Sequence, residues 1–349
     1  MKSLIHKAFS LKSFWFIGQF KANNMKNHPK CDIEERKKQL KKAYPELKQF
    51  AKGKRSIVFS LGIKYCIKLS SGKVSLAREY TTLQLLNKHK IGPKAILYDK
   101  ALDALVMEKI QGMFIEEFAS KEKSRIRVLS AVYNVASQLF QLDKLKLSKQ
   151  EMHHPPKHII VSKKGPVLID FERCRYSEKP KNMTQFFQYL SEGALYQILK
   201  KRGFVLFNKT LKNSLQSYKN SYSQEDFFSL LSLLWLYPET DFEKIYTATR
   251  LIPKGKLSTY RDIAEISGTL PIVAGFAMNK NMFFPVVPCH RVVSAEGIGG
   301  FASGIENKRR ILSAEGINLG KLSSQVISVR DLSLCYKAFI KKLESSQNL

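Results

Sequence analysis

The chain has little that could cross-link it, bind zinc or carry it through a membrane. Its five cysteines, Cys31, Cys66, Cys174, Cys289 and Cys335, form no CxxC pair and no zinc-like spacing. That argues against a disulfide framework and for a reducing, cytoplasmic compartment. No segment reaches the roughly 18 consecutive apolar residues of a membrane span, and there is neither an internal repeat nor a long low-complexity linker. Acidic residues are the scarce charge, 29 against 59 Lys and Arg, for a net charge of +30. Such an excess suits a polyanionic partner, although a lysine-rich background composition would produce it with no ligand at all. Most of it precedes residue 241, and the stretch from there to residue 320 is only mildly basic. With 349 residues the chain is long enough for two domains, each with its own core, and a monomer is expected.

Patterning along the chain favours an α+β organisation. Residues 1–32 read as a poorly ordered N-terminal extension. A charged helix is expected from about Asp32 to Lys42, then strands at Ile57–Leu61 and Tyr65–Leu69 turning at Gly62. A helix over Ser75–Lys88 carries Leu76, Leu83 and Leu86 on one stripe. Strands at Ala95–Tyr98 and Ala104–Lys109, helices over 124–142 and 184–202, and a β island at 159–161 and 167–169 follow. A strongly apolar helix, Asp226–Tyr237, stops at Pro238, and a domain boundary is expected there. Beyond it, Thr240-Asp241-Phe242-Glu243 and Thr259-Tyr260-Arg261-Asp262 are capping boxes that open helices. The second of these helices ends at Gly268, and Pro271 opens the next, which runs to about Asn279. Two short helices joined by a glycine turn read as helix-turn-helix. A helix over Glu306–Glu315 stops at Gly316, and residues 321–349 form a helical tail.

The chemistry is concentrated in Pro288-Cys289-His290-Arg291-Val292. Thiolate is the nucleophilic form of cysteine, and cationic neighbours lower a thiol pKa, so Cys289 is expected to be activated. An apolar run, 283–287, leads into the cysteine, and a glycine-rich turn, 295–300, follows it.

From about Phe242 to Gly316 the chain resembles the catalytic domain of the O6-alkylguanine-DNA alkyltransferases. The resemblance rests on Ile252-Pro253-Lys254-Gly255-Lys256-Leu257-Ser258-Thr259-Tyr260, on Asn281 eight residues before Cys289, on the Pro-Cys-His-Arg run, and on Ser313-Ala314-Glu315-Gly316. It implies that Cys289 takes an alkyl group from O6 of guanine in double-stranded DNA, irreversibly, in a single turnover and without a cofactor. His290 would receive the thiol proton through a water, Glu315 would orient the histidine, and Asn281 would tie the hinge. Tyr260 would assist protonation of the leaving base. The family inserts an arginine into the base stack, and Ile272 occupies that position here. Apolar wedges also serve in minor-groove binders. Ala274, Gly275 and Ala277 would let the helix approach the groove closely, with Lys280, Arg291, Arg309 and Arg310 as DNA contacts. Phe301, Ser303 and Gly304 would border the alkyl pocket, where one residue is missing and Ser303 replaces a glycine.

The preceding region, 33–238, resembles a degenerate protein-kinase-like domain of the archaeal or RIO-like type, which implies a two-lobed fold. Tyr65-Cys66-Ile67-Lys68 stands where kinases have the phosphate-pairing lysine, and Glu79 is placed to pair with it. Val167-Leu168-Ile169-Asp170-Phe171-Glu172 resembles the metal-binding Asp-Phe-Gly segment, so Asp170 would hold Mg²⁺ and the domain would bind ATP. The catalytic loop departs from the pattern: His153 and His158 stand where an aspartate and an asparagine belong, and Pro155-Pro156 between them makes a loop rather than a metal site. The chain therefore reads as this domain followed by a mostly helical, winged-helix-like alkyltransferase domain at 239–320. Two alternatives stay open: a sensor of alkylated bases that repairs nothing, and an atypical kinase-type regulator that uses the second domain to reach DNA.

Overall fold

The computed structural model describes residues 33–53, 55–71 and 75–347. The expectation for residues 1–32 lies outside them. The described chain falls into two compact units, one of residues up to 77 with 96–107, the other of 78–95 with 108 onward. Residue 238 lies inside the second unit.

The first unit is built on a five-stranded sheet. Helix α1 (Ile33–Ala43) leads into β1 (Lys48–Lys52), β2 (Ser56–Leu61) and β3 (Tyr65–Ser70). The sheet is completed by β4 (Ala95–Asp99) and β5 (Ala104–Glu108), in the order β1-β2-β3-β5-β4. β2 and β3 pair antiparallel, with Leu61 opposite Tyr65, and Gly62 at φ 64° turns the hairpin as its lack of a Cβ allows. Alternate residues Ile57, Phe59, Ile67 and Leu69 face a core shared with Leu40, Leu47, Ala104 and Val106, as a period of two dictates. β1 could not be read from the sequence because all five of its residues are exposed, leaving no apolar alternation to detect.

The second unit begins with α2 (Ala77–Asn87), then β6 (Met113–Phe114), α3 (Ile115–Lys121) and the long α4 (Arg125–Lys144). β7 (Leu147–Lys149) pairs with β10 (Cys174–Tyr176), and β6 lies beside the hairpin of β8 (Ile159–Ser162) and β9 (Gly165–Leu168). The expected helix over 184–202 is two helices, α5 (Asn182–Glu192) and α6 (Ala194–Lys201). Gly193 separates them in extended conformation, where the Tyr189 ring and carbonyl leave no room for a Cβ. After β11 (Phe204–Leu206) come α7 (Asn208–Ser221), α8 (Gln224–Ser232) and β12 (Leu234–Leu236). The expected helix to Tyr237 thus stops at Ser232. A run this apolar fits a buried strand as well as a buried helix, and pairing with β11 decides for the strand.

The chain continues without a slack linker. Tyr237 N donates to Gly203 O, and Arg125 on α4 binds Glu239 and Glu243. Both expected capping boxes form, at Thr240 for α9 (Asp241–Thr249) and at Thr259 for α10 (Tyr260–Ser267). Gly268 ends α10 in the left-handed conformation, and Pro271 opens α11 (Pro271–Asn279). β13 (Ser258–Thr259) and β14 (Val292–Val293) pair in parallel, α12 (Ile305–Ala314) follows, and the tail is helical as α13 (Val329–Gln347). No helix among the described residues is long and apolar enough to cross a membrane.

Candidate functional site

Cys289 begins a short 3-10 turn, Cys289–Arg291, that leads directly into β14. The thiol is buried and so is His290. His290 Nε2 lies 3.0 Å from Glu315 Oε1. A carboxylate accepts, so Nε2 carries the proton and Nδ1 presents its lone pair. Nδ1 is buried and has no hydrogen-bond partner among the described residues. Burial lowers the His290 pKa, outweighing the opposing bond and charge of Glu315, which leaves a neutral imidazole able to accept a proton.

The cationic neighbours do not do what the sequence suggested. Burial raises the Cys289 pKa, and the bond from Asn281 and the charge of Lys308 offset it only in part. At rest the group is a thiol. Arg291, expected as a DNA contact, makes its bonds within the protein. Its Nε and Nη2 grip both oxygens of Glu315 at 2.8 and 2.7 Å, and Nη1 donates to Ile252 O at 2.7 Å. Burial raises the Glu315 pKa, but the bonds from Arg291 and His290 more than offset it, and the carboxyl lies below its ordinary range. Arg291 therefore fixes the group that fixes the histidine.

Asn281 sits at the turn after α11. Its Nδ2 donates to Val287 O at 2.8 Å, and its Oδ1 accepts from Phe283 N at 2.9 Å. Tyr260 opens α10 and is half-buried, with its pKa raised by burial and by Cys289. Gly299 at φ 69° lets the glycine turn pass its ring; a Cβ there would lie 3.2 Å from Tyr260 Cε2. Phe301 and Phe284 meet edge-on at 6.0 Å, and both pack on the His290 ring. Ser303 Oγ accepts from Asn307 at 2.7 Å, and Gly304 is the N-cap of α12 at φ 94°.

The residues assigned to DNA contact separate into two groups. Ala274 and Ala277 are fully buried; their small size serves helix packing, with Tyr246 Oη donating to Ala277 O at 3.0 Å. The exposed face of α11 is apolar instead: Ile272 is 71% and Phe276 61% exposed, with Leu270 and Met282 flanking the helix. Gly275 is half-buried and Lys280 exposed. Arg309 pairs with Glu306 at 3.5 Å, and Arg310 donates to Asn307. Phe276 went unremarked in the sequence, although its position four residues after Ile272 puts both on one helical stripe.

Lys308 was missed altogether. It is fully buried, and its Nζ donates to Val292 O at 2.6 Å and Gly300 O at 3.2 Å. Burial brings its pKa down to about 8, against the raising influence of Cys289. The available signal was its position four residues before the buried Leu312, a lysine on the core stripe of an amphipathic helix.

Among the other candidates, Lys68 is buried on β3 in the first unit. In the second, the carboxylates of Glu79, Asp170 and Glu172 lie within 4.8 Å of one another, and Glu79 accepts from Phe171 N. His158 Nδ1 is 3.7 Å from Asp170. Two groups near Asp170 were not anticipated: Lys149, fully buried, whose Nζ donates to the Asp170 carbonyl, and the buried Glu151, 3.3 Å from the same Nζ.

A buried thiol, a neutral histidine held by an anchored carboxylate, and an adjoining helix-turn-helix define a site with a single nucleophile. Residues 241–317 match the family described as 6-O-methylguanine DNA methyltransferase, DNA binding domain. A methylated-DNA–protein-cysteine methyltransferase of Sulfolobus acidocaldarius is 40% identical over 79 residues, 23% of this chain and 51% of the relative. That of Metallosphaera sedula is 44% identical over 73 residues, 21% and 47% respectively. The chain thus spans about half the length of the curated relatives it matches. Among solved structures, the streptomycin–ATP–APH(2'')-IIa ternary complex is 14% identical, covering 60% of this chain and 96% of that one at a TM-score of 0.34. The ADP-bound aminoglycoside phosphotransferase APH(2'')-Ib is 15% identical, covering 56% and 96% at 0.33.

Proposed function

We propose that the segment 239–320 repairs DNA by direct reversal, moving an alkyl group from O6 of guanine to Cys289. The observation that carries this reading is the set of groups able to handle the thiol proton. A thiol with a raised pKa lies beside a neutral histidine whose bare Nδ1 can accept, and Glu315 and Arg291 hold that histidine. His290 takes the thiol proton through a water, the sulfur attacks the alkyl carbon, and the C–O6 bond breaks with its electron pair going to guanine. The base takes a proton as it leaves, a step in which Tyr260 is the assisting group. A thioether remains on the protein, and nothing in the site could hydrolyse it, so one molecule serves one lesion. Reaching the base requires it to be flipped out of the stack, a role assigned to the exposed face of α11. Intact-protein mass spectrometry after incubation with duplex DNA containing O6-methylguanine tests the proposal. Wild type should gain one methyl at Cys289 and Cys289→Ser none; tight lesion binding with no mass gain would favour a sensor.

The N-terminal half is proposed to bind nucleotide with Mg²⁺. The three clustered carboxylates supply the hard oxygen donors that such a cation prefers, with Asp170 as the principal ligand. Calorimetry with ATP and Mg²⁺ should show binding that Asp170→Asn abolishes; no affinity in wild type would refute it.

A further inference from the structure

Phe283 lies six residues before the nucleophile, and its ring is 1% exposed. Three aromatic rings meet it edge-on: Tyr133 at 5.6 Å and 80°, Trp235 at 6.0 Å and 73°, and Tyr246 at 5.6 Å and 80°. Only Tyr246 belongs to the alkyltransferase segment. Tyr133 comes from α4 and Trp235 from β12, both ahead of residue 238.

Each wall of this box is itself fixed. The Tyr133 hydroxyl reaches Leu231 O at 2.7 Å and Leu234 O at 2.9 Å. Trp235 Nε1 donates to Thr247 Oγ1 on α9 at 3.0 Å. The guanidinium of Arg250, at the end of α9, lies 4.3 Å from the Trp235 ring centroid and 4.9 Å from that of Phe339 on α13. From the box to the thiol runs a short series of bonds. Phe283 N donates to Asn281 Oδ1, Asn281 Nδ2 donates to Val287 O, and Cys289 N donates to Val287 O at 2.9 Å. The same asparagine works against the burial that raises the thiol pKa. The residue whose ring fills the box is thus tied through Asn281 and Val287 to the backbone of Cys289.

We infer that Tyr133 and Trp235 are positioning residues for Cys289, so that the N-terminal half supplies part of the alkyl-transfer machinery and the segment 239–320 is not a self-sufficient catalyst. The inference rests on the function proposed above, and it gives the covalent joining of the two halves a physical purpose. Residues within the segment that matches the family furnish one wall of the box; residues outside it furnish two.

The test is the pH profile of Cys289 alkylation by iodoacetamide on the full chain, resolved by peptide mass spectrometry, with the exposed Cys335 as internal reference. In Tyr133→Leu and Trp235→Leu the Cys289 midpoint should rise as Asn281 loses its hold, each unit of rise cutting the rate at neutral pH about tenfold. Phe140→Leu removes a stacked pair with Phe227, 4.3 Å apart in the same half; it should lower stability and leave the midpoint alone. Tyr133→Phe, which keeps the ring, should retain the wild-type profile. Should either leucine variant fail to fold, Trp235→Phe reads the same shift from a smaller perturbation. A midpoint unmoved or lowered, with a stability loss like that of Phe140→Leu, overturns the inference. The assay uses no DNA, so the Cys289 midpoint is measurable even in a chain inactive on O6-methylguanine, and alkyl transfer measured in parallel tests the function separately.

Discussion

Replacing Lys308 with methionine removes a buried charge and leaves a side chain of similar length. The structure gives that change a pH signature. The ammonium titrates at about 8 in the folded protein against an ordinary value of 10.5. A lysine whose folded pKa is depressed leaves the unfolded chain holding more protons between those two values, so stability rises with pH across the window. The shift corresponds to about 3 kcal/mol over the whole window, and between about 1 and 2 kcal/mol of it should be realised by pH 9. At neutral pH the variant is relieved of that burial cost. It also strips Val292 O of a buried donor, which costs roughly 1–3 kcal/mol, so the two proteins should be close in stability at pH 7. Buried thiols act in the opposite direction: Cys174 is raised to about 11 and Cys289 is raised too, and each loses stability as pH climbs. Both occur in wild type and variant, and subtraction removes most of their contribution. Urea denaturation at pH 7, 8 and 9 should therefore show the wild type gaining on Lys308→Met as pH increases. A constant difference would refute the burial argument. Cys289 should respond as well: without the Lys308 charge its alkylation midpoint should rise.

The apolar face of α11 makes a separate prediction. Ile272→Ala and Phe276→Ala should slow repair of duplex DNA and barely change the reaction with free O6-benzylguanine, because the free base needs no extrusion; equal slowing on both substrates would place these side chains in the pocket instead.

Sequence was most informative where local chemistry is autonomous. Both capping boxes, the glycine stop at Gly268, the helix start at Pro271 and the β2–β3 hairpin form as their residues demand, because each is settled within a few residues. It failed where distant partners decide. Leu234-Trp235-Leu236 is a strand because β11 lies beside it, and Gly193 breaks a helix because the Tyr189 ring fills the space a Cβ would need. In the site, sequence put the reactive residues in order but misjudged their electrostatics. Arg291 adjoins Cys289 in the chain yet spends its charge on Glu315, whereas Lys308, nineteen positions away, is the cation acting on the thiol. Adjacency along a strand end gives neighbours pointing different ways, so a motif alone does not say which charge a nucleophile feels.

In the reaction proposed above the nucleophile is used once, and that division of roles bears on how it is kept. A permanently ionised thiolate would meet oxidants and stray electrophiles, and every such reaction would consume the thiol before it met a lesion. Here burial holds Cys289 as a thiol and His290 as a neutral base, while the bond from Asn281 and the charge of Lys308 limit how far the thiol pKa climbs. Ionisation is then a proton transfer within the site rather than a loss to solvent, and a base entering the pocket displaces water and strengthens every one of these interactions. The aromatic box packs three rings around Phe283, six residues before the thiol. Loosening it from the N-terminal side would change both the readiness and the safety of the thiol, which is why Tyr133 and Trp235 are better judged by the pH profile of Cys289 than by thermal stability.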